Sequence, residues 1–279
     1  MTVAGKKAVG EEGGFRMADI EVLEKKPNLL RFIIKNNETA YVNTLRRMIL
    51  DEVPTMAIED VEFRKNDSIL YDEIVAHRLG LLPLSTDLRG YNLPEKCTCK
   101  GKGCAKCQLE MHLKTEAQGV ITANKIKSKD PKIKPIYGEM PITKLLEDQQ
   151  LEFVAISRLG KGKEHTKWAP GLAFFMPKPK IDIKKCSMCG ECVKKCPKNV
   201  LEIKDKKIIV AKPLECHMCM ACVDACPDNA INVEAEKGQF IFNVESFGQL
   251  KPKDIVIQAT KEFDQKLDEF AKLIKEKAE

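Results

Sequence analysis

The sequence of 279 residues contains few of the groups from which catalytic sites are usually built. Only four histidines are present, and they are scattered along the chain at His77, His112, His165 and His217. No spacing places a nucleophile beside a base or pairs two carboxylates, which are the usual arrangements for covalent and acid–base catalysis. The sequence therefore predicts that this chain performs no catalysis by itself.

Long apolar runs and clustered aromatic residues are also missing. No eighteen consecutive residues are apolar, and the N-terminus lacks the pattern of a secretory signal, so we expect no membrane association. Aromatic residues make up only 6% of the chain and the net charge is +6. Because a nucleic-acid-binding protein usually has a larger basic excess or stacking aromatics, we expect no base-specific contact with DNA.

The remaining composition is that of an ordinary globular protein. Apolar residues account for 43% and charged residues for 32% of a chain long enough for two or three domains. Cysteine is the exception, because twelve are present. Their spacing suits metal binding rather than disulfides, so we predict a reducing, cytoplasmic location.

Eight of the cysteines form two copies of the pattern C-x2-C-x2-C-x3-C-P, which is typical of a [4Fe–4S] cluster. In two-cluster modules the fourth cysteine of each copy binds the other cluster. The predicted ligands are Cys186, Cys189, Cys192 and Cys226 for the first cluster and Cys216, Cys219, Cys222 and Cys196 for the second. The clusters would be structural, stapling a small fold, or redox-regulatory.

The other four cysteines lie in a glycine-rich loop with the pattern C-x-C-x4-C-x2-C. They are Cys97, Cys99, Cys104 and Cys107. Four thiolates on a loop that can turn back at Gly101 and Gly103 suit a tetrahedral Zn2+ ion. The alternative is a reduced loop that binds no metal.

Hydrophobic periodicity predicts the main elements. Residues 19–35 read as a hairpin, 38–52 as a helix, 56–75 as strand, 74–81 as a helix, and 253–277 as a long amphipathic helix. The basic stretch 158–168 lacks P-loop spacing, so we interpret it as a solvated loop that docks on an acidic partner. Residues 1–16 have no apolar periodicity and are predicted to be a disordered leader.

Four segments, in the family's order, resemble signatures of the RNA polymerase alpha-type (third-largest) subunits. They are NTLRRMILDEVPTMAIE (43–59), HRLGLLPL (77–84), GKEHTKWAP (162–170) and FNVESFG (242–248). Together with a ferredoxin-like insertion, they are most similar to the archaeal members. The resemblance covers about residue 17 to 279 and is specific because the segments are separate and ordered.

The resemblance implies an α+β fold with three parts. An alpha-type dimerisation domain would be formed by residues 17–53 and 237–279. A β-rich domain carrying the zinc-like loop would be inserted at 54–178, and a ferredoxin-like [4Fe–4S] domain at 179–236.

The family also implies an assembly role. Alpha-type subunits pair through the dimerisation domain, in archaea with the small subunit L, and the pair is the platform for the large catalytic subunits. Carried over to this chain, the resemblance assigns the following residues to partner binding: Tyr41, Leu45, Met48, Ile49, Phe263, Leu267, Phe270 and Ile274 toward L, and Arg46 and Arg47 toward a large subunit.

A ferredoxin-type electron carrier is the main alternative. Ferredoxins are short and generally acidic, whereas residues 179–236 carry ten lysines against nine acidic residues. No G-x-G-x-x-G fingerprint for a flavin or nicotinamide cofactor accompanies the cysteine motifs. A nucleic-acid-binding protein with a zinc loop ranks third.

Overall fold

A computed structural model describes residues 19–278 of the chain, so the prediction for residues 1–16 lies outside the described part. These residues form a mixed α+β fold. The strands are β1 (Asp19–Lys25), β2 (Leu29–Lys35), β3 (Pro54–Asn66), β4 (Gln108–Thr115), β5 (Gly119–Thr122), β6 (Lys127–Ser128), β7 (Pro141–Leu145), β8 (Leu151–Lys161), β9 (Gly171–Ile183), β10 (Leu201–Lys204), β11 (Lys207–Val210) and β12 (Ile231–Ser246). The helices are α1 (Thr39–Glu52), α2 (Asp72–Gly80), α3 (Glu191–Lys195), α4 (Ala221–Asp224) and α5 (Pro252–Ala278).

The strands within residues 19–278 group into two four-stranded and two two-stranded sheets. The orders are β1-β2-β12-β9, β3-β8-β4-β6, β5-β7 and β10-β11. In the first sheet a strand from the beginning of the chain lies beside one from its end. The division into a dimerisation domain at 17–53 and 237–279 with two inserted domains stays a prediction.

The described chain divides into two compact units. The large unit contains residues 22–32, 40–175 and 242–278, and the cysteine-rich unit contains residues 19–21, 33–39 and 176–241. The large unit is organised around β8, in which buried and half-buried residues alternate along LEFVAISR. Because side chains in a strand alternate between the two faces of a sheet, this pattern places one face in the core. Phe153 on that face is fully buried and meets Phe63 edge-on, with ring centroids 6.0 Å apart.

A small core cluster surrounds the cysteine motifs of the second unit. Its buried members are Cys192, Val200, Leu201, Ile208 and Ile231, around which five further cysteines pack half-buried. Other residues of this unit, such as Ile34 and Ile241, are buried outside that cluster. Strands β10 and β11 form an antiparallel hairpin with Leu201 paired to Val210. Both strands lie between the two cysteine motifs.

Most predicted elements are present with small shifts at their ends. The hairpin is β1–β2, the first helix is α1, and the long C-terminal helix is α5. The strand predicted over 56–75 is partly wrong, because β3 ends at Asn66 and Leu70 lies in a turn. Ile69 is 86% exposed there, so its hydrophobicity does not reflect a place in the sheet. No helix within residues 19–278 is long and apolar enough to cross a membrane.

Candidate metal centres and partner surface

The loop of residues 95–107, here called the cysteine loop, brings four sulfur atoms together. The Sγ atoms of Cys97, Cys99, Cys104 and Cys107 all lie within 4.8 Å of one another. The Cys97–Cys104 and Cys99–Cys107 pairs are 3.5 Å apart, and Cys104–Cys107 is 3.8 Å. Four thiolates about 2.3 Å from a tetrahedral ion are about 3.8 Å from each other. The residues therefore fit a four-coordinate structural metal.

Backbone conformation explains why this short loop can converge. Gly101 and Gly103 have φ angles of 79° and 93°, which are in the left-handed region that favours glycine. A Cβ on Gly103 would also lie 2.3 Å from the side-chain oxygen of Gln108. The prediction that these glycines turn the loop back is confirmed.

Crowding of the thiols separates their acidities. Burial raises the pKa of Cys107 to about 12. Desolvation also opposes ionisation of Cys99, but hydrogen bonds from Cys107 and Cys97 outweigh it and bring the pKa of Cys99 to about 6. A cation among the sulfurs would stabilise the thiolate form that metal ligation requires.

In the cysteine-rich unit the two sequence motifs exchange their fourth cysteines. Cys196 from the first motif lines one largely apolar cavity together with Cys216, Cys219 and Cys222 from the second. Burial raises the pKa of Cys192, and the nearby thiols of Cys186, Cys226 and Cys189 raise it further. The second grouping shows the same pattern around Cys222, where burial and then Cys216, Cys196 and Cys219 raise the pKa.

Backbone amides face the sulfurs in matching positions of the two motifs. The N–H groups of Met188 and Met218 donate to Cys186 and Cys216, each at 3.4 Å. Val200 and Ala230 donate to Cys196 and Cys226, at 3.3 and 3.2 Å. Donors of this kind stabilise anionic sulfur and tune an iron–sulfur cluster. The residues therefore fit the predicted crossed pair of clusters.

Four residues of α5 are predicted to bind a partner, and such residues should have exposed side chains. We call Phe263, Leu267, Phe270 and Ile274 the α5 stripe. Three of these side chains are exposed, with Phe270 at 62%. By contrast, Ile255 and Ala259 in the first half of α5 are fully buried. The second half of this 27-residue helix thus presents apolar surface that residues 19–278 do not cover.

Helix α1 requires a correction. Ile49 is fully buried and Met48 is 7% exposed, so both belong to the core of this chain and do not face a partner. The sequence pattern could not distinguish an apolar stripe that covers the chain's own sheet from one that covers a neighbour. Tyr41 and Arg47 are exposed, and Leu45 and Arg46 are half-buried. For these four the prediction of partner contact stands as a prediction.

Residues 158–168, here called the signature loop, form the expected solvated basic loop only in part. Residues 163–166 are exposed, whereas Arg158, Lys161 and Lys167 are buried or half-buried. Arg158 donates to Glu59 at 2.7 Å, and Lys167 also pairs with Glu59. Both cations lie over the ring of Trp168, at 5.4 and 4.5 Å from its centroid. A Cβ on Gly162 would lie 1.9 Å from the carbonyl oxygen of Leu50, so only glycine fits this close approach.

The signature loop also supplies a buried ammonium group that the sequence did not reveal. Lys161 Nζ lies 3.0 Å from carboxylate oxygens of both Glu52 and Glu262, and all three side chains are at most 11% exposed. Burial alone lowers the pKa of Lys161, but hydrogen bonds to the two glutamates outweigh it and hold the pKa above its ordinary value. The group joins the ends of α1 and β8 to the middle of α5. The sequence gives no sign that Lys161 is buried, because both of its partners are more than 100 positions away along the chain.

Comparisons with known proteins agree with this architecture. Residues 31–267 match the family model of the RNA polymerase Rpb3/Rpb11 dimerisation domain. Similar curated proteins include the DNA-directed RNA polymerase subunit Rpo3 of Methanosphaera stadtmanae, 37% identical over 92% of this chain and 99% of that protein. The Rpo3 of Archaeoglobus fulgidus is 38% identical over 93% and 99%, respectively. That of Thermococcus kodakarensis is 34% identical over 91% and 96%.

The match to the dimerisation-domain model covers most of the chain, which defines the class of protein. The Rpo3 relatives extend the similarity over nearly the full length of both sequences. The chain therefore belongs to the archaeal RNA polymerase alpha-type family, that of Rpo3. The resemblance seen in the four sequence segments is confirmed.

Proposed function

We propose that this chain is a non-catalytic assembly subunit of a DNA-directed RNA polymerase. It pairs with the small subunit L, and the pair is the platform on which the large catalytic subunits assemble. The observation that carries the proposal is the α5 stripe, an exposed apolar surface on a helix that the family match reaches. Burying apolar side chains contributes about 25 cal/mol per Å2, so covering this surface favours pairing.

The cysteine groups support the same role through stability. We assign two [4Fe–4S] clusters to the crossed cysteine sets and one Zn2+ to the cysteine loop, because the sulfur groupings fit these ions. The clusters would supply the cohesion that the small core of the cysteine-rich unit lacks. No residue of this proposal takes part in nucleotide transfer.

Pairing with subunit L is tested by co-purification under anaerobic conditions. The full chain and L are co-expressed, and stoichiometry is measured by mass together with iron, sulfide and zinc. We expect a one-to-one complex with about eight irons and one zinc, as the ligand sets require. A chain that stays alone and cycles between redox states would instead favour an electron carrier.

Two charge substitutions on α5 sharpen the test. Phe270→Glu places a carboxylate in the stripe and is expected to weaken pairing at least about 100-fold, since a buried unpaired charge is costly. Lys272→Glu introduces the same side chain two positions along, about 200° around the helix from Phe270, and is the matched control. Equal binding by both variants would remove the stripe from the interface.

A further inference from the structure

Helix α5 has different surroundings on its two flanks. Successive residues of an α-helix are separated by about 100° around its axis, so the α5 stripe occupies one flank and Gln265 lies on the opposite one. The buried residues Ile255, Ala259 and Glu262 face the fold between these two flanks. A partner seated on the stripe therefore leaves the flank of Gln265 free.

The cysteine loop borders this second flank. Lys96 Nζ donates a hydrogen bond to the side-chain oxygen of Gln265 at 3.2 Å, a contact between residues 169 positions apart. Backbone hydrogen bonds from Lys100 N–H to the Cys97 carbonyl and from Cys107 N–H to the Cys104 carbonyl, both 2.9 Å, give the loop a defined shape. The loop is consequently a fixed surface beside α5.

The surface of the cysteine loop is strongly basic. Lys96, Lys100, Lys102 and Lys106 are all exposed, and Glu95 is the only carboxylate among residues 95–107. Lys100, Lys102 and Lys106 form no ion pair with any carboxylate in the part of the chain that the structure describes. This contrasts with the signature loop, whose cations are satisfied internally. A basic surface left unpaired on a rigid loop complements an acidic one.

We propose that the cysteine loop is a second docking surface that binds an acidic polypeptide segment of a polymerase subunit other than the one covering the α5 stripe. The inference rests on the proposed assembly function and names a separate surface for it. The two flanks of α5 would then contact two subunits at once. An acidic polypeptide is favoured over single-stranded nucleic acid because residues 95–107 contain no aromatic side chain on which a base could stack.

The experiment uses the full chain in complex with subunit L, and the probe is the subassembly of the large polymerase subunits. The triple variant Lys100→Glu, Lys102→Glu and Lys106→Glu reverses the charge of the loop. The control variant Lys125→Glu, Lys127→Glu and Lys144→Glu changes the net charge equally at exposed lysines of the same unit. Affinity for the probe, affinity for L, and zinc content are measured for each.

We expect the loop variant to retain L and zinc and to bind the large subunits roughly tenfold more weakly at 0.1 M salt. The difference should shrink at 0.5 M salt, because exposed charges are screened. The control should bind like the unaltered chain. Zero-length carbodiimide cross-links from the loop lysines to carboxylates of a large subunit would support the proposal directly.

Several results would overturn it. Equal weakening by both triple variants would show a general charge effect, and loss of zinc from the loop variant would show that the lysines only serve the cysteine centre. Cross-links to L, or protection of the lysines by duplex DNA, would assign the loop to another partner. Failure of the assembly function itself looks different, because the unaltered chain would then not pair with L.

Discussion

The two units of the chain reach a folded core by different means. The large unit buries twenty hydrophobic residues in one cluster, from Met56 to Leu159. The cysteine-rich unit buries only five residues in its cluster, and one of these is Cys192. A cluster of that size contributes little cohesion by itself, and the metal ligation proposed above would add to it. In the large unit, by contrast, the cysteine loop is an addition to a core that is already complete.

Substituting the motif cysteines should give the largest difference in stability between the two units. With all eight motif cysteines changed to serine, we expect the amides of α3, α4, β10 and β11 to lose protection from hydrogen exchange. The amides of β3 and β8 should stay protected, because their core contains no motif cysteine. Serine at Cys97, Cys99, Cys104 and Cys107 is the control and should affect only the loop. Retained protection in the cysteine-rich unit would show that its apolar residues suffice.

The next largest effect should come from creating a cavity in the core of the large unit. Phe153→Ala removes a fully buried ring and should lower the free energy of unfolding by about 3–5 kcal/mol. Chemical denaturation monitored on the large unit measures this change. Phe174, which is 48% exposed, is the matched control, and its change to alanine should cost less than about 1 kcal/mol. Similar losses for both would contradict the described core.

The buried ion group of Lys161, Glu52 and Glu262 tests how much a polar interaction stabilises the same unit. Lys161→Ala leaves Glu262 buried without a cation, while Glu52 keeps Lys266 at 2.7 Å, and we expect a loss of about 3 kcal/mol. Lys163, whose side chain is 51% exposed and 3.6 Å from Glu52, provides the control. Its change to alanine should cost below about 1 kcal/mol. An equal loss of unfolding free energy at both positions would mean that burial of the lysine does not determine the size of the loss.

The same group predicts a smaller dependence on pH. Burial raises the pKa of Glu52, but hydrogen bonds from Lys266 and Lys161 lower it by more than burial raises it. Its folded pKa therefore lies below its ordinary value. Its contribution is present above the unfolded pKa of about 4.3 and is lost as pH falls through the folded value. The raised pKa of Lys161 makes stability depend on pH in the alkaline range. That contribution is complete below about pH 10.4 and is lost as pH rises through the folded pKa.

Denaturation midpoints of the large unit between pH 3 and 11 measure this effect. We expect a plateau at intermediate pH with falling stability on both sides. Glu52→Gln should flatten the acid side, because the amide does not titrate. A variant that keeps the full acid dependence would show that other carboxylates cause it.

Family membership, most element positions and the cysteine groups could be predicted from the sequence alone. Each depends on short-range spacing, such as C-x2-C or the period of a strand, that is complete within a few residues. The assignment of Ile69 to a strand failed because a hydrophobic residue in a turn carries the same local signal. Partner contact by Met48 and Ile49 failed for a related reason. An apolar stripe does not say whether it covers the chain's own sheet or another chain.

What the sequence by itself determined is therefore which groups are present and how they repeat locally. Tertiary structure decided which of them meet. Lys161 became a buried cation because Glu52 and Glu262, 109 and 101 residues away, converge on it. Lys100, Lys102 and Lys106 have the same side chain and remain exposed, because no carboxylate of the described chain approaches them. The charge of a lysine is local, whereas its desolvation and its partners depend on contacts between distant segments.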